Sequence, residues 1–118
     1  GHTYQLTVFL EGTPDANLGW VLDFADLKRA IEPVIQQVDH KFLNQVPGLE
    51  NPTCEYIAIW LWNQLKPVLP LLSKIELYET PTSGVGYDGR RHPKSIHQVV
   101  ILPPLQKERF VTNNVKTN

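Results

Sequence analysis

Residues 4–11, Tyr-Gln-Leu-Thr-Val-Phe-Leu-Glu, put Tyr4, Leu6, Val8 and Leu10 on one face and Gln5, Thr7, Phe9 and Glu11 on the other. A two-residue apolar period marks a half-buried strand, because successive strand side chains point to opposite faces. Residues 73–80 repeat the pattern, with Ile75 and Leu77 opposed to Glu76, Tyr78 and Thr80. Between these strands the period lengthens to that of a helix. Phe24, Leu27, Ile31, Val34, Ile35 and Val38 form an apolar stripe over 23–39. Asp23 is placed to cap it, with Asp26 as a weaker form of the capping-box acid. Pro33 lies inside and is expected to kink or split the helix, since it removes a backbone donor. A second helix is expected to be capped by Asn51, with Pro52 at its first position, and to end near Lys66-Pro67. Ile57, Trp60, Leu61 and Leu65 point to its core face, and Tyr56, Ile59 and Trp62 widen the apolar surface.

Turn chemistry fills the joints: two Gly, a Pro, an Asp and an Asn over 12–19, Pro47-Gly48 between the helices, and Pro-Thr-Ser-Gly at 81–84. Residues 85–89 are expected to begin a third strand. The order strand, helix, helix, strand, strand predicts an α+β fold with the helices on one face of an antiparallel sheet.

The chain of 118 residues is one domain's worth, and 42 % apolar against 19 % charged residues is globular composition. A net charge of −1 gives no basic footprint for nucleic acid. The apolar runs are too short for a membrane span. Cys54 is the single cysteine, which excludes an internal disulfide and fits a reducing, cytoplasmic setting. From Arg90 the composition shifts. A basic stretch (90–98), a short apolar run (99–105) and a polar tail (106–118) set a boundary between a domain at 1–89 and a C-terminal extension at 90–118.

Five motifs come in one order: Gly-His-Thr-Tyr at 1–4, "GWVLDFADLK" at 19–28, "DHKFLN" at 39–44, "PGLENPTCE" at 47–55 and "ETPTSGVGY" at 79–87. Together they resemble the 6-pyruvoyltetrahydropterin synthase family. Within it they look most like the bacterial 6-carboxytetrahydropterin synthases of queuosine (7-deazaguanine) biosynthesis. The resemblance covers residues 1–89. It implies a T-fold, an antiparallel sheet with two helices inserted on one face. It also implies trimers or hexamers with active sites at subunit interfaces. The implied reaction is a zinc-dependent lyase step from 7,8-dihydroneopterin triphosphate to 6-carboxytetrahydropterin. The alternatives are a 6-pyruvoyltetrahydropterin synthase and a non-catalytic pterin-binding T-fold protein.

The resemblance also assigns roles. His2 looks like the second histidine of a His-x-His pair and is expected to be a zinc ligand. Alternating strand residues would aim two imidazoles at one metal, leaving a position open for substrate. Asp39 and His40 are expected to form a proton relay, with the carboxylate fixing the imidazole tautomer. Glu79 matches the pterin anchor, a carboxylate accepting two hydrogen bonds from the amino group and a ring N–H. Thr53 and Glu55 match the pocket wall. Set beside these roles are plainer ones: a tag-like terminal His2, a helix-end His40, a solvated Glu79, and helix initiation at Thr53 and Glu55.

Cys54 occupies the variable slot of Asn-Pro-Thr-x-Glu and is expected to be a small packing residue. The family's first strand, its zinc histidine, its catalytic Cys and the first histidine of His-x-His have no counterpart in these residues. Three explanations follow: a missing N-terminal segment of a longer enzyme, which is favoured; a naturally shortened, non-catalytic relative; or a C-terminal segment that takes the lost strand's place. For the third, the strand-like "KSIHQVVIL" at 94–102, with His92 and His97 near it, is the candidate, against a surface tail with incidental histidines.

Overall fold

The structure is a computed structural model that describes residues 2–12, 23–96 and 108–116. The first alternating segment forms β1 (Thr3–Leu10), with Tyr4, Leu6, Val8 and Leu10 buried as its period requires. The helical stripe forms α1 (Phe24–Gln36), and the second helix is α2 (Cys54–Leu65). Three strands follow as β2 (Leu72–Thr80), β3 (Ser83–Tyr87) and β4 (Lys94–Ile96), and a last one, β5, spans Glu108–Lys116.

All pairings are antiparallel, and the five strands lie in the order β4-β3-β2-β1-β5. The core lies between one face of this sheet and the two helices. Leu6, Val8, Leu10, Ile75, Leu77 and Val85 from the sheet meet Leu27, Ile31, Val34 and Val38 of the α1 segment and Ile57, Trp60 and Leu61 of α2. Leu61 is fully buried, so truncating it to alanine would cost about 2–5 kcal/mol. On the other face Lys74 lies 3.3 Å from Glu76 and 5.5 Å over the Phe9 ring, and the Tyr78 hydroxyl donates to Glu76 at 3.3 Å.

Several sequence expectations shift. Asp23 does cap α1, accepting from the Ala25 N–H at 2.7 Å. Asp26 pairs instead with Arg29, one turn along. Pro33 does not split the helix: its ring is exposed, and the helix ends three residues later. The cap of α2 is Thr53 rather than Asn51, its hydroxyl accepting from the Tyr56 N–H at 3.3 Å. Asn51 and Pro52 therefore precede the helix. Tyr56 is largely exposed, whereas Trp62 is buried.

The largest departure is at the C-terminus. Part of the expected polar tail is a strand, β5, and it takes the outer edge of β1 over Thr3↔Lys116 to Leu10↔Glu108. Lys94–Ile96, from the segment considered for that role, instead makes β4 on the opposite edge, beside β3. A polar sequence can fill an edge position, because the ladder bonds are made by backbone and one face of such a strand meets water. The turn expected at 12–19, the apolar run at 99–105 and His97 lie wholly or largely outside the described residues.

Candidate functional site

One end of the sheet gathers the chemistry. There β2 leaves the core and reaches Glu79, whose side chain is exposed next to the turn into β3. The register Gln5↔Tyr78, extended by one residue, sets Tyr4 opposite Glu79 on the helix-facing side. The N-terminus of α2 abuts the same place. Cys54, the first helical residue, is 7 % exposed, and its Sγ lies 3.7 Å from the Leu77 carbonyl oxygen.

Gly84 permits the close packing of β3 here. A Cβ on it would lie 2.2 Å from the Leu77 oxygen and 2.8 Å from the Tyr78 Cα, so only glycine fits.

The electrostatics bind these groups into one cluster. Burial pushes the Cys54 thiol up to about 12; the Glu79 charge, a hydrogen bond shared with Glu79, and Glu55 add to it in that order. Burial also raises the Tyr4 phenol, followed by the charges of Glu79 and Cys54. Both groups thus stay protonated at neutral pH beside a carboxylate. A thiol so held is no nucleophile, because the thiolate is the reactive form. Cys54 is a packing residue, as its sequence slot implied, but one that packs beneath Glu79.

The remaining residues singled out from the sequence stand as follows. His2 precedes β1, with its ring centroid 6.2 Å from that of Tyr4. Thr53 and Glu55 flank Cys54 in the first turn of α2; both are exposed, and Thr53 spends its hydroxyl on the cap. Asp39 and His40 lie in the turn after α1, with His40 Nε2 3.7 Å from Asp39 Oδ2. His40 has φ +59°, the left-handed region that non-glycine residues seldom occupy. His92 is exposed between β3 and β4.

Among the described residues no three His, Cys, Asp or Glu side chains converge as a metal site would need. His2 alone does not make a zinc centre, and no chemical step is derived through one.

Sequence reasoning missed Tyr4 and Cys54 as neighbours of Glu79. Tyr4 was legible only as an inward strand residue, and the pairing that brings it to Glu79 depends on register. An open groove of about 650 Å³ lies at the opposite end of the sheet, lined in part by Phe9, Trp62, Lys66, Lys74 and Arg90. Its lysines are engaged: Lys66 donates to the Pro70 and Leu72 carbonyls at 2.8 and 2.7 Å, and Lys74 pairs with Glu76. None of the candidate residues lines it, and the convergent chemistry is at Glu79.

The family model described as 6-pyruvoyl tetrahydropterin synthase matches residues 1–90. The chain belongs to this family. Several relatives share the same stretch. A protein of Pyrococcus furiosus named dihydroneopterin monophosphate aldolase is 36 % identical over 88 residues, covering 72 % of this chain and 74 % of that one. The human 6-pyruvoyl tetrahydrobiopterin synthase is 39 % identical over 95 residues, covering 75 % and 66 %. A 6-carboxy-5,6,7,8-tetrahydropterin synthase of Synechocystis is 36 % identical over 93 residues, covering 74 % and 72 %.

Among solved structures, the 6-pyruvoyl tetrahydropterin synthase of Caenorhabditis elegans matches with a TM-score of 0.70 at 34 % identity, over 75 % of this chain and 68 % of that one. The antiparallel sheet with two helices on one face is the family's T-fold. Among the described residues no helix is long and apolar enough to cross a membrane.

Proposed function

We propose that this chain is a pterin-processing lyase of the 6-carboxytetrahydropterin synthase type, acting on 7,8-dihydroneopterin triphosphate. The observation that carries this is the Glu79 cluster. An exposed carboxylate at a strand end stands against a phenol and a thiol that keep their protons. Its negative charge is the one feature of the cluster that a pterin's amino group and adjacent ring N–H would pair with, two donors in one plane. Tyr4 and Cys54 form the floor under that carboxylate. Thr53 and Glu55, on the first turn of α2, would border the ring. Asp39 and His40 would move a proton, the carboxylate holding the imidazole in one tautomer.

His2 is proposed as one zinc ligand, with the rest of the centre supplied by groups other than those described. Homo-oligomeric assembly, with a neighbouring subunit completing the open side of the site, belongs to the same proposal.

A second reading has its own support: a pterin-binding T-fold protein without catalysis. It requires only the exposed Glu79 carboxylate with its protonated neighbours, and no metal centre. The relatives' names divide among carboxy-synthase, pyruvoyl-synthase and aldolase chemistry, all on pterins.

The deciding experiment incubates the purified protein with 7,8-dihydroneopterin triphosphate, identifies products by mass, and measures bound zinc. A 6-carboxytetrahydropterin product with stoichiometric zinc supports the first reading. Pterin binding without zinc or turnover supports the second. Glu79→Ala is expected to abolish pterin binding with the fold intact by circular dichroism; unchanged affinity would remove Glu79 from the site.

A further inference from the structure

β5 lies beyond the 1–90 stretch that the family model matches. It follows β4 in the chain yet sits on the opposite edge of the sheet. Its pairing with β1 falls into two parts, divided by a register shift between Gln5 and Thr7. Away from the site, Val111 to Glu108 pair with Thr7 to Leu10. At the site end, Asn114, Val115 and Lys116 pair with Gln5, Tyr4 and Thr3. The β5 backbone thus runs beside Tyr4, the β1 residue that stands opposite Glu79 of β2.

The ladder with β2 runs from Gln5↔Tyr78 onward, whereas the ladder with β5 reaches Tyr4↔Val115 and Thr3↔Lys116, so β5 extends the pairing of β1 to its first residue. Strand ends and unpaired edges open at low free-energy cost. A displacement of Tyr4 would change what stands against Glu79.

We propose that Asn114–Lys116 act as a backbone clamp that fixes the start of β1, so that Tyr4 is held against Glu79 when a pterin binds. The clamp is a positioning element, not a ligand contact. It rests on the assignment of Glu79 to pterin binding. Because ladder bonds are backbone bonds, the clamp depends on main-chain N–H groups and not on the Asn or Lys side chains.

The test uses the full chain with two double variants. Asn114→Pro with Val115→Pro removes two successive N–H groups, one of which faces β1 because successive groups alternate in direction. Asn114→Thr with Lys116→Thr keeps the backbone and changes the side chains. Two quantities are read: amide hydrogen exchange of residues 3–6, and the affinity for 7,8-dihydroneopterin by fluorescence.

The proline pair is expected to speed exchange at residues 3–6 at least tenfold and to weaken pterin binding about tenfold, with helical circular dichroism kept. The threonine pair is expected to match the parent in both. Unchanged exchange in the proline pair overturns the clamp, and so does a threonine pair as weak as the proline pair, which would make the contact one of side chains. If the parent chain binds no pterin, the pterin assignment fails instead, and the exchange measurement alone decides the clamp.

Discussion

Replacing Cys54 with serine is expected to remove most of a steep alkaline loss of stability. The thiol is pushed from an ordinary 9.0 to about 12, first by burial and then by the Glu79 charge. The unfolded chain exposes the thiol and restores its ordinary value. Between those two limits the unfolded state has released a proton that the native state retains. The native state therefore binds more protons, so stability is intact below about pH 9 and falls as the pH rises. At about 1.4 kcal/mol per pH unit, the loss reaches about 2 kcal/mol near pH 10.5 and levels off near about 4 kcal/mol once the native thiol also ionises.

The raised Tyr4 phenol acts with the same sign above its ordinary 10.0 and remains in the variant. Urea unfolding midpoints, measured under reducing conditions at several pH values between about 7.5 and 10.5, give the slope for both proteins. Thiolate absorbance of the folded parent gives the native titration directly. The parent is expected to lose about 2 kcal/mol across this range and the serine variant less than half of that. Equal slopes, or a native thiol that ionises near 9, would refute the reasoning.

Three further outcomes follow from single contacts. Gly84→Ala drives a Cβ into the Leu77 oxygen and the Tyr78 Cα, both backbone-fixed. It is expected to cost about 1–3 kcal/mol or more by chemical denaturation, and a neutral result would mean that β3 is not where it is described. Thr53→Ala removes the α2 cap and is expected to cost about 1 kcal/mol, whereas Asn51→Ala should cost little; the reverse order would restore Asn51 as the cap. The exposed Glu50 carboxylate is held below its ordinary 4.5 by its own backbone N–H and that of Gly48. Its contribution is present above the ordinary value and lost as the pH falls through the lower native one, so Glu50→Gln should flatten the acid limb of unfolding.

The elements that could be read from sequence are those written in local periodicity. The alternation from Tyr4 to Leu10 and from Ile75 to Thr80 gave the two central strands, and the stripe from Leu27 to Val38 gave α1. The α2 cap moved by two residues because Asn51, Pro52 and Thr53 are all acceptable at a helix start, and the choice depends on which hydroxyl reaches a free N–H. β5 is not legible in the sequence because it is polar, and an edge strand draws its order from a neighbour's backbone.

Of the site, Glu79 was visible through its motif. Its neighbours were not: Tyr4 and Cys54 come from segments about 75 and 25 residues away, and strand register and helix docking bring them together. Asp39-His40 and Thr53-Glu55 were found as motifs, and they sit at the two ends of the connector between the helices.

The pairing of Thr3 with Lys116 also determines how the protein can be handled. The start of β1 and the end of β5 lie side by side, at the same end of the sheet as Glu79. An affinity tag or fluorescent fusion on either side would crowd the Glu79 cluster. The turn around Pro70-Leu71, at the far end of the sheet and exposed, is the better point for a label. Conversely, a short peptide joining the start of β1 to the end of β5 would close this domain into a ring, and new ends could then be opened at that distant turn.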